Sequence, residues 1–211
     1  NPSEKKTHPY GISPLGYALT QPGVLVYYFK LSVWPSPLVF DYHDWPIARS
    51  VEAILPPAFV IATLALATLW AWRHRPPLGF LGAWFFLILA PTSGLIPIGE
   101  LVDEHRMYLP LAAIICLFVM GGYGGLRRFV SPARVRQGLA AGLVVTLVAA
   151  LGGLTVRRNE AYHDEIALWQ DTLSKRPHNA RAHTYLAAAL ADRGRLGEAM
   201  AHYAEALRLR P

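Results

Sequence analysis

The sequence predicts an all-α fold, a polytopic helical membrane bundle of four transmembrane helices followed by a helical-hairpin repeat. Two observations carry the prediction. Four charge-free apolar runs, Ala53 to Trp72, Leu78 to Gly99, Met107 to Leu126 and Gly138 to Val156, are each 19 to 22 residues long. About 20 apolar residues at about 1.5 Å rise cross a hydrocarbon core of about 30 Å as a helix. The second observation is a repeat-like spacing of small and large apolar residues over Ala180 to Pro211. Hydrophobic residues make up 53% of the chain and charged residues 16%, with the charges almost wholly outside the four runs, which excludes an ordinary soluble globular domain.

Before the runs, Gly23 to Phe40 is aromatic and apolar but interrupted by Lys30, Pro35 and Pro37. It is read as a helix in the membrane interface with Tyr27, Tyr28, Phe29 and Trp34 at headgroup depth, and a fifth span is the alternative. Asp41-Tyr42-His43-Asp44-Trp45-Pro46 follows as a polar turn, whose two carboxylates and His are also a possible metal set; no metal is expected. The second run contains Pro91-Thr92-Ser93-Gly94 and Pro97, which either end a helix near the outer interface or break one beside a cavity. In the third run Gly121 and Gly125 have the GxxxG spacing that lets helices approach closely. Cys116, the single cysteine, lies inside this run and is read as a packing residue, so no internal disulfide forms.

Loop charges orient the bundle. Arg73 to Pro77 holds two Arg and one His, and Arg127 to Gln137 holds four Arg and no acid, so both loops are expected in the cytoplasm. Glu100 to Arg106 carries three acids and one Arg and belongs on the opposite side, together with both termini. The net charge of +6 reads as this orientation signal, and no nucleic-acid partner is expected.

After the last run, Tyr162, Ile166, Trp169 and Leu173 recur at i, i+4, i+7 and i+11, one apolar helical stripe closed by Pro177. Counting back from Pro211 as repeat position 32 places Leu186, Ala187, Leu190, Gly194, Ala199, Tyr203 and Ala206 at the packing positions of a tetratricopeptide (TPR) unit. His183 and Leu190 replace the usual Trp and Tyr. Small Ala187, Ala199 and Ala206 let two antiparallel helices approach, and Leu186, Leu190 and Tyr203 fill between them. The resulting division is 1–48 as an outer interfacial segment, 49–156 as the membrane region, 157–178 as a degenerate half repeat and 179–211 as the repeat. The chain opens at Asn1 with no signal sequence and stops at the final proline of one repeat, so a fragment cut at both ends is expected.

One segment can carry chemistry. Asp103-Glu104-His105-Arg106-Met107-Tyr108-Leu109-Pro110 sets four ionisable groups against the outer end of a span, where such residues are costly unless paired or set at a water-filled site. Arg106 can grip a phosphate through its planar fork, and Tyr108 can add a hydrogen bond. A loop whose Glu104 and Arg106 form a salt bridge is the structural alternative.

Leu31-Ser32-Val33-Trp34-Pro35 with Asp41-Tyr42, the Pro91-Thr92-Ser93 break with Pro97, Glu104 to Pro110, Arg158-Asn159, Leu168-Trp169 and the repeat occur in an order that resembles the C-terminal half of the transmembrane and TPR repeat-containing proteins. Those are similar to protein O-mannosyltransferases of the GT-C class. The resemblance implies transfer of a sugar from a polyprenyl-phosphate carrier to a protein hydroxyl outside the cytoplasm, in a bacterial inner membrane or an ER-type membrane, with the TPR units holding the acceptor. It places Glu104, His105, Arg106 and Tyr108 on the donor-phosphate or sugar side, with the catalytic carboxylate in an early outer loop beyond this chain. Asp41 and Asp44 are the nearest general-base candidates here, and both read as contact residues. A non-catalytic membrane-tethered TPR adaptor and an oligosaccharide ligase or polymerase carrying TPR units are the competing functions.

Overall fold

The computed structural model describes residues 12–93, 100–160 and 162–210. Among them the chain is all-helical: α1 (Pro14–Val33), α2 (Val51–His74), α3 (Pro76–Leu89), a 3-10 turn (Glu104–Met107) leading into α4 (Tyr108–Phe129), α5 (Ala133–Glu160), α6 (Glu165–Lys175), α7 (Ala180–Asp192) and α8 (Leu196–Leu209). Contacts group the chain into two units, one made of residues up to 38 with Trp45–Leu117, the other of Val39–Asp44 with 118 onward.

Among the described residues three helices are long and apolar enough to cross a membrane: α2, α4 with its leading turn, and α5. The second run is helical over its first part among those residues. Its helix α3 is 14 residues long, about 21 Å at 1.5 Å rise, which is short of a hydrocarbon core. It stops at Leu89 because Pro91 has no N–H to continue the ladder, and the Thr92 and Ser93 amides turn back to Leu89 O at 3.1 and 2.8 Å. Pro97 and the rest of the run lie outside the described residues.

In the first unit α1 begins nine residues before the expected interfacial segment. Ser13 Oγ accepts from Gly16 N at 3.1 Å and Pro14 occupies the first turn, where its missing N–H costs nothing. One face is buried at helical spacing through Tyr17, Thr20, Gln21, Val24, Leu25, Tyr28 and Leu31. α1 packs on α2, and α2 packs on α3 across the single linking residue Arg75. Tyr28 and Phe29 therefore point into protein rather than headgroups: Tyr28 is fully buried and Phe29 stacks on Phe85 at 4.5 Å. Trp34 remains 70% exposed.

Close approach of α2 and α3 depends on glycine. A Cβ on Gly79 would lie 2.3 Å from Trp72 Cα, and one on Gly82 would lie 2.4 Å from Thr68 Oγ1. Gly121 and Gly125, by contrast, have nothing within 4 Å of a built Cβ, so their spacing makes no close contact here. Cys116 is exposed on α4 rather than packed.

In the second unit α7 and α8 form a hairpin with α6 packed on α7. Ile166, Trp169, Ala182, Leu186, Ala187, Ala189, Leu190 and Ala199 make its core. The α7–α8 turn needs Gly194, which has φ +75°; its amide bonds Ala191 O and the Arg195 amide bonds Leu190 O, both at 2.9 Å, closing the helix end as a Schellman motif. Tyr203, expected to fill between the helices, is instead 39% exposed, and Pro211 lies outside the described residues. Tyr162 precedes α6, which starts at Glu165, rather than lying within it.

Candidate functional site

The loop before α4 is anchored by buried Leu101, Val102 and Met107. Its polar backbone is clipped from α1: the Tyr28 hydroxyl donates to Asp103 O at 2.9 Å and accepts from Asp103 N at 2.8 Å. Burial pushes the Tyr28 hydroxyl up to about 12, against the lowering effects of the Asp103 backbone bond and the Arg106 charge. It therefore stays a neutral phenol across the working pH range.

Arg106 lies beside this clip. Its Nη2 donates to Glu100 O at 2.7 Å, while Nη1 makes long contacts with Thr92 O at 3.4 Å and the Tyr17 hydroxyl at 3.5 Å. The Tyr17 hydroxyl itself donates to Thr92 O at 2.7 Å. All of these acceptors are neutral. Among the described residues Arg106 forms no ion pair with a carboxylate, so a salt bridge to Glu104 is not how the guanidinium is held.

The other candidates are arranged differently. His105 Nδ1 lies 2.6 Å from Asp103 Oδ1, with the imidazole 69% exposed. Glu104 is half-buried, and Tyr108 is 78% exposed. Two α1 tyrosines, Tyr17 and Tyr28, take up the hydroxyl contacts at this loop. Sequence reading missed Tyr17; the available signal was the i, i+4, i+7, i+11 spacing of Tyr17, Gln21, Val24 and Tyr28.

The Asp41–Asp44 turn belongs to the second unit and is taken up by the tail. Asp41 is 3% exposed. Its Oδ1 accepts from His43 N at 2.7 Å and from Asn179 Nδ2 at 3.2 Å, and its Oδ2 accepts from Arg181 Nε. Asn179 also caps α7, its Oδ1 accepting from Ala182 N at 3.0 Å. Asp44 pairs with Arg176 at 3.1 Å, and the same guanidinium lies 5.1 Å over the Tyr42 ring. Phe40 meets Trp169 edge-on at 5.2 Å, and Trp169 stacks on Tyr185 at 4.9 Å. With these partners the two carboxylates hold the tail. Among the described residues no group of three His, Cys, Asp or Glu is placed to hold a metal.

On the tail, His43, Arg181, Thr184, Tyr203, Leu207 and Arg210 line an open groove. Leu196, Met200, Tyr203 and Leu207, at i, i+4, i+7 and i+11, leave an exposed apolar stripe along α8. His183 Nε2 lies 3.1 Å from Pro177 O, and its Nδ1 lies 3.0 Å from His202 Nδ1. Both contacts are satisfied when His183 carries its proton on Nε2 and His202 on Nδ1.

Three apolar helices of membrane-crossing length define the class: this is an integral membrane protein. Its relatives are more specific. Protein O-mannosyl-transferase TMTC1 of Mus musculus is 29% identical over 98% of this chain and 23% of its own length, and that of Homo sapiens is 28% identical over 100% and 25%. Protein O-mannosyl-transferase Tmtc2 of Drosophila melanogaster is 32% identical over 66% of this chain and 14% of its own length. The chain is thus similar from end to end to a group of protein O-mannosyl-transferases, and it spans about a quarter of the length of the TMTC1 relatives. No family model matches it, and no solved structure does.

Proposed function

We propose that this chain is part of a membrane glycosyltransferase that moves a sugar, mannose by analogy with its relatives, from a polyprenyl-phosphate carrier to a protein hydroxyl. The observation that carries this reading is Arg106, a part-buried guanidinium whose contacts are backbone carbonyls and a phenol, with no carboxylate paired to it among the described residues. Such a group keeps its charge and its fork for an anion, and a carrier phosphate arriving from the membrane is that anion. Glu104, His105 and Tyr108 flank it on the sugar side. The catalytic base comes from outside this chain.

In this reading α6 to α8 are one and a half tetratricopeptide units following the outer segment and the membrane region, and their groove receives the acceptor. The α8 stripe fits a further helix of the same kind. With the second run as a whole making the crossing that α3 begins, the arginine-rich loops 73–77 and 127–137 lie in the cytoplasm, and the Arg106 loop, both termini and the tail lie on the other side. Labelling single cysteines in intact cells with a membrane-impermeant thiol reagent checks this: position 202 should react and position 132 should not, and the reverse pattern would overturn the orientation.

Transfer of mannose from polyprenyl-phosphate mannose by the full-length protein tests the function. Arg106→Ala should lower transfer about 10- to 100-fold, the value of one charge-assisted hydrogen bond of about 1.5 to 3 kcal/mol. Arg106→Lys should recover only part of it, because the ammonium keeps the charge and loses the fork. Wild-type rates in both variants would end the proposal.

A further inference from the structure

Gln21 sits in the buried face of α1 and is 2% exposed, yet among the described residues neither its Nε2 nor its Oε1 has a hydrogen-bond partner. Buried polar atoms are paired in the great majority of folded proteins, and an unpaired amide loses its water without recompense. On the same face the polar groups of Tyr17, Thr20 and Tyr28 all have hydrogen-bond partners, and Val24, Leu25 and Leu31 are apolar, so the Gln21 amide stands apart. A methionine there would fill the same length with no orphaned group.

The register sets the amide on the helix face that carries Tyr17 and Tyr28. Gln21 is one helical turn after Tyr17 and two turns before Tyr28, the two side chains through which α1 touches the Arg106 loop. A second orphan adjoins that contact: among the described residues Ser93 Oγ is buried without a partner, one residue after Thr92, whose carbonyl takes the Tyr17 hydroxyl and contacts Arg106. An amide that both donates and accepts, a hydroxyl, and a guanidinium with no carboxylate paired to it among the described residues together match a ligand that has several hydroxyls and one anionic group. A lipid tail would leave Gln21 unsatisfied, and a bare phosphate would use only Arg106.

We infer that Gln21, assisted by Ser93, hydrogen-bonds the hydroxyls of the sugar on a phosphate-linked donor whose phosphate rests on Arg106. The inference rests on the function proposed above and adds the residues that recognise the sugar. It makes a paired demand: losing the amide should relieve the folded protein while harming recognition of the sugar.

The test compares full-length wild type with Gln21→Met and Ser93→Ala. Gln21→Met should unfold at the same or a higher temperature while its KM for polyprenyl-phosphate mannose rises about tenfold. Inhibition by polyprenyl phosphate lacking the sugar should stay unchanged, and Ser93→Ala should give a smaller shift in the same direction. A lower unfolding temperature with unchanged KM would make Gln21 a structural residue and overturn the inference. An equal loss of affinity for the sugar-free carrier would also overturn it. If the wild type transfers no mannose, the function fails first; thermal protection by polyprenyl-phosphate mannose over that by polyprenyl phosphate alone still decides the inference. It should be present in wild type and lost in Gln21→Met, and an identical excess in both would refute it.

Discussion

Replacing Asp41 by alanine tests how the Asp41–Asp44 turn is tied to the tail, and the cost can be worked out contact by contact. The substitution removes the acceptor of His43 N at 2.7 Å, one acceptor of Asn179 Nδ2 at 3.2 Å and the carboxylate facing Arg181 Nε. Breaking a buried ion pair from one side costs about 3 to 5 kcal/mol. Two features reduce that figure here: the Arg181 side chain is 30% exposed and can rehydrate, and Asn179 Nδ2 keeps Asp41 O at 3.2 Å. A loss of about 2 to 4 kcal/mol is expected once that discount is applied. The loss should concentrate where Asn179 caps α7, since a loosened Asn179 weakens its bond to Ala182 N. Hydrogen exchange on the full-length protein reads this directly, and the first-turn amides of α7 should exchange about 30- to 1,000-fold faster. Arg181→Ala should give a smaller effect, because it leaves Asp41 with Asn179 and the His43 amide. Exchange at Ala182 and His183 within about twofold of wild type in Asp41→Ala would refute the tie.

Gly79→Ala should lower the unfolding temperature in detergent, by overpacking worth about 1 to 3 kcal/mol, because its Cβ would meet the Trp72 backbone; Gly125→Ala, in open space, should not. Equal tolerance of both would contradict the α2–α3 contact. The His202 imidazole is held below its ordinary value, chiefly by burial and then by the neighbouring His183, with Glu198 opposing. The unfolded chain therefore binds this proton more readily, so the contribution to stability is complete above about pH 6.5 and is lost as pH falls towards the lowered folded value. Protection of the α7–α8 hairpin should drop between pH 7.5 and 5.5 in wild type and depend less on pH in His202→Leu; identical pH profiles would count against the histidine pair.

Local chemistry made the helices legible. The charge-free apolar runs marked α2, α4 and α5, and the tail hairpin follows from the spacing of Leu186, Leu190 and Ala199 with Gly194 between the helices. The early start of α1 was less visible, since Tyr17, Thr20 and Gln21 dilute the apolar signal of a face that is nevertheless buried. The second run reads as one span because composition counts residues on both sides of Pro91, while helix α3 ends before it.

The candidate site was only half legible for a related reason. Asp103, His105 and Arg106 are close in sequence, but the Tyr17 and Tyr28 hydroxyls that meet this loop come from 75 to 89 residues away, and Asp41 finds Asn179 across 138. Pairings at such separations leave no periodicity in the chain.

Equilibrium binding of sugar-free polyprenyl phosphate to the full-length protein tests the central claim most directly. If Arg106 holds the carrier phosphate, Arg106→Ala should weaken binding about 10- to 100-fold and Arg106→Lys by less, with unfolding temperature kept. Unchanged affinity in a stable Arg106→Ala protein would contradict the account.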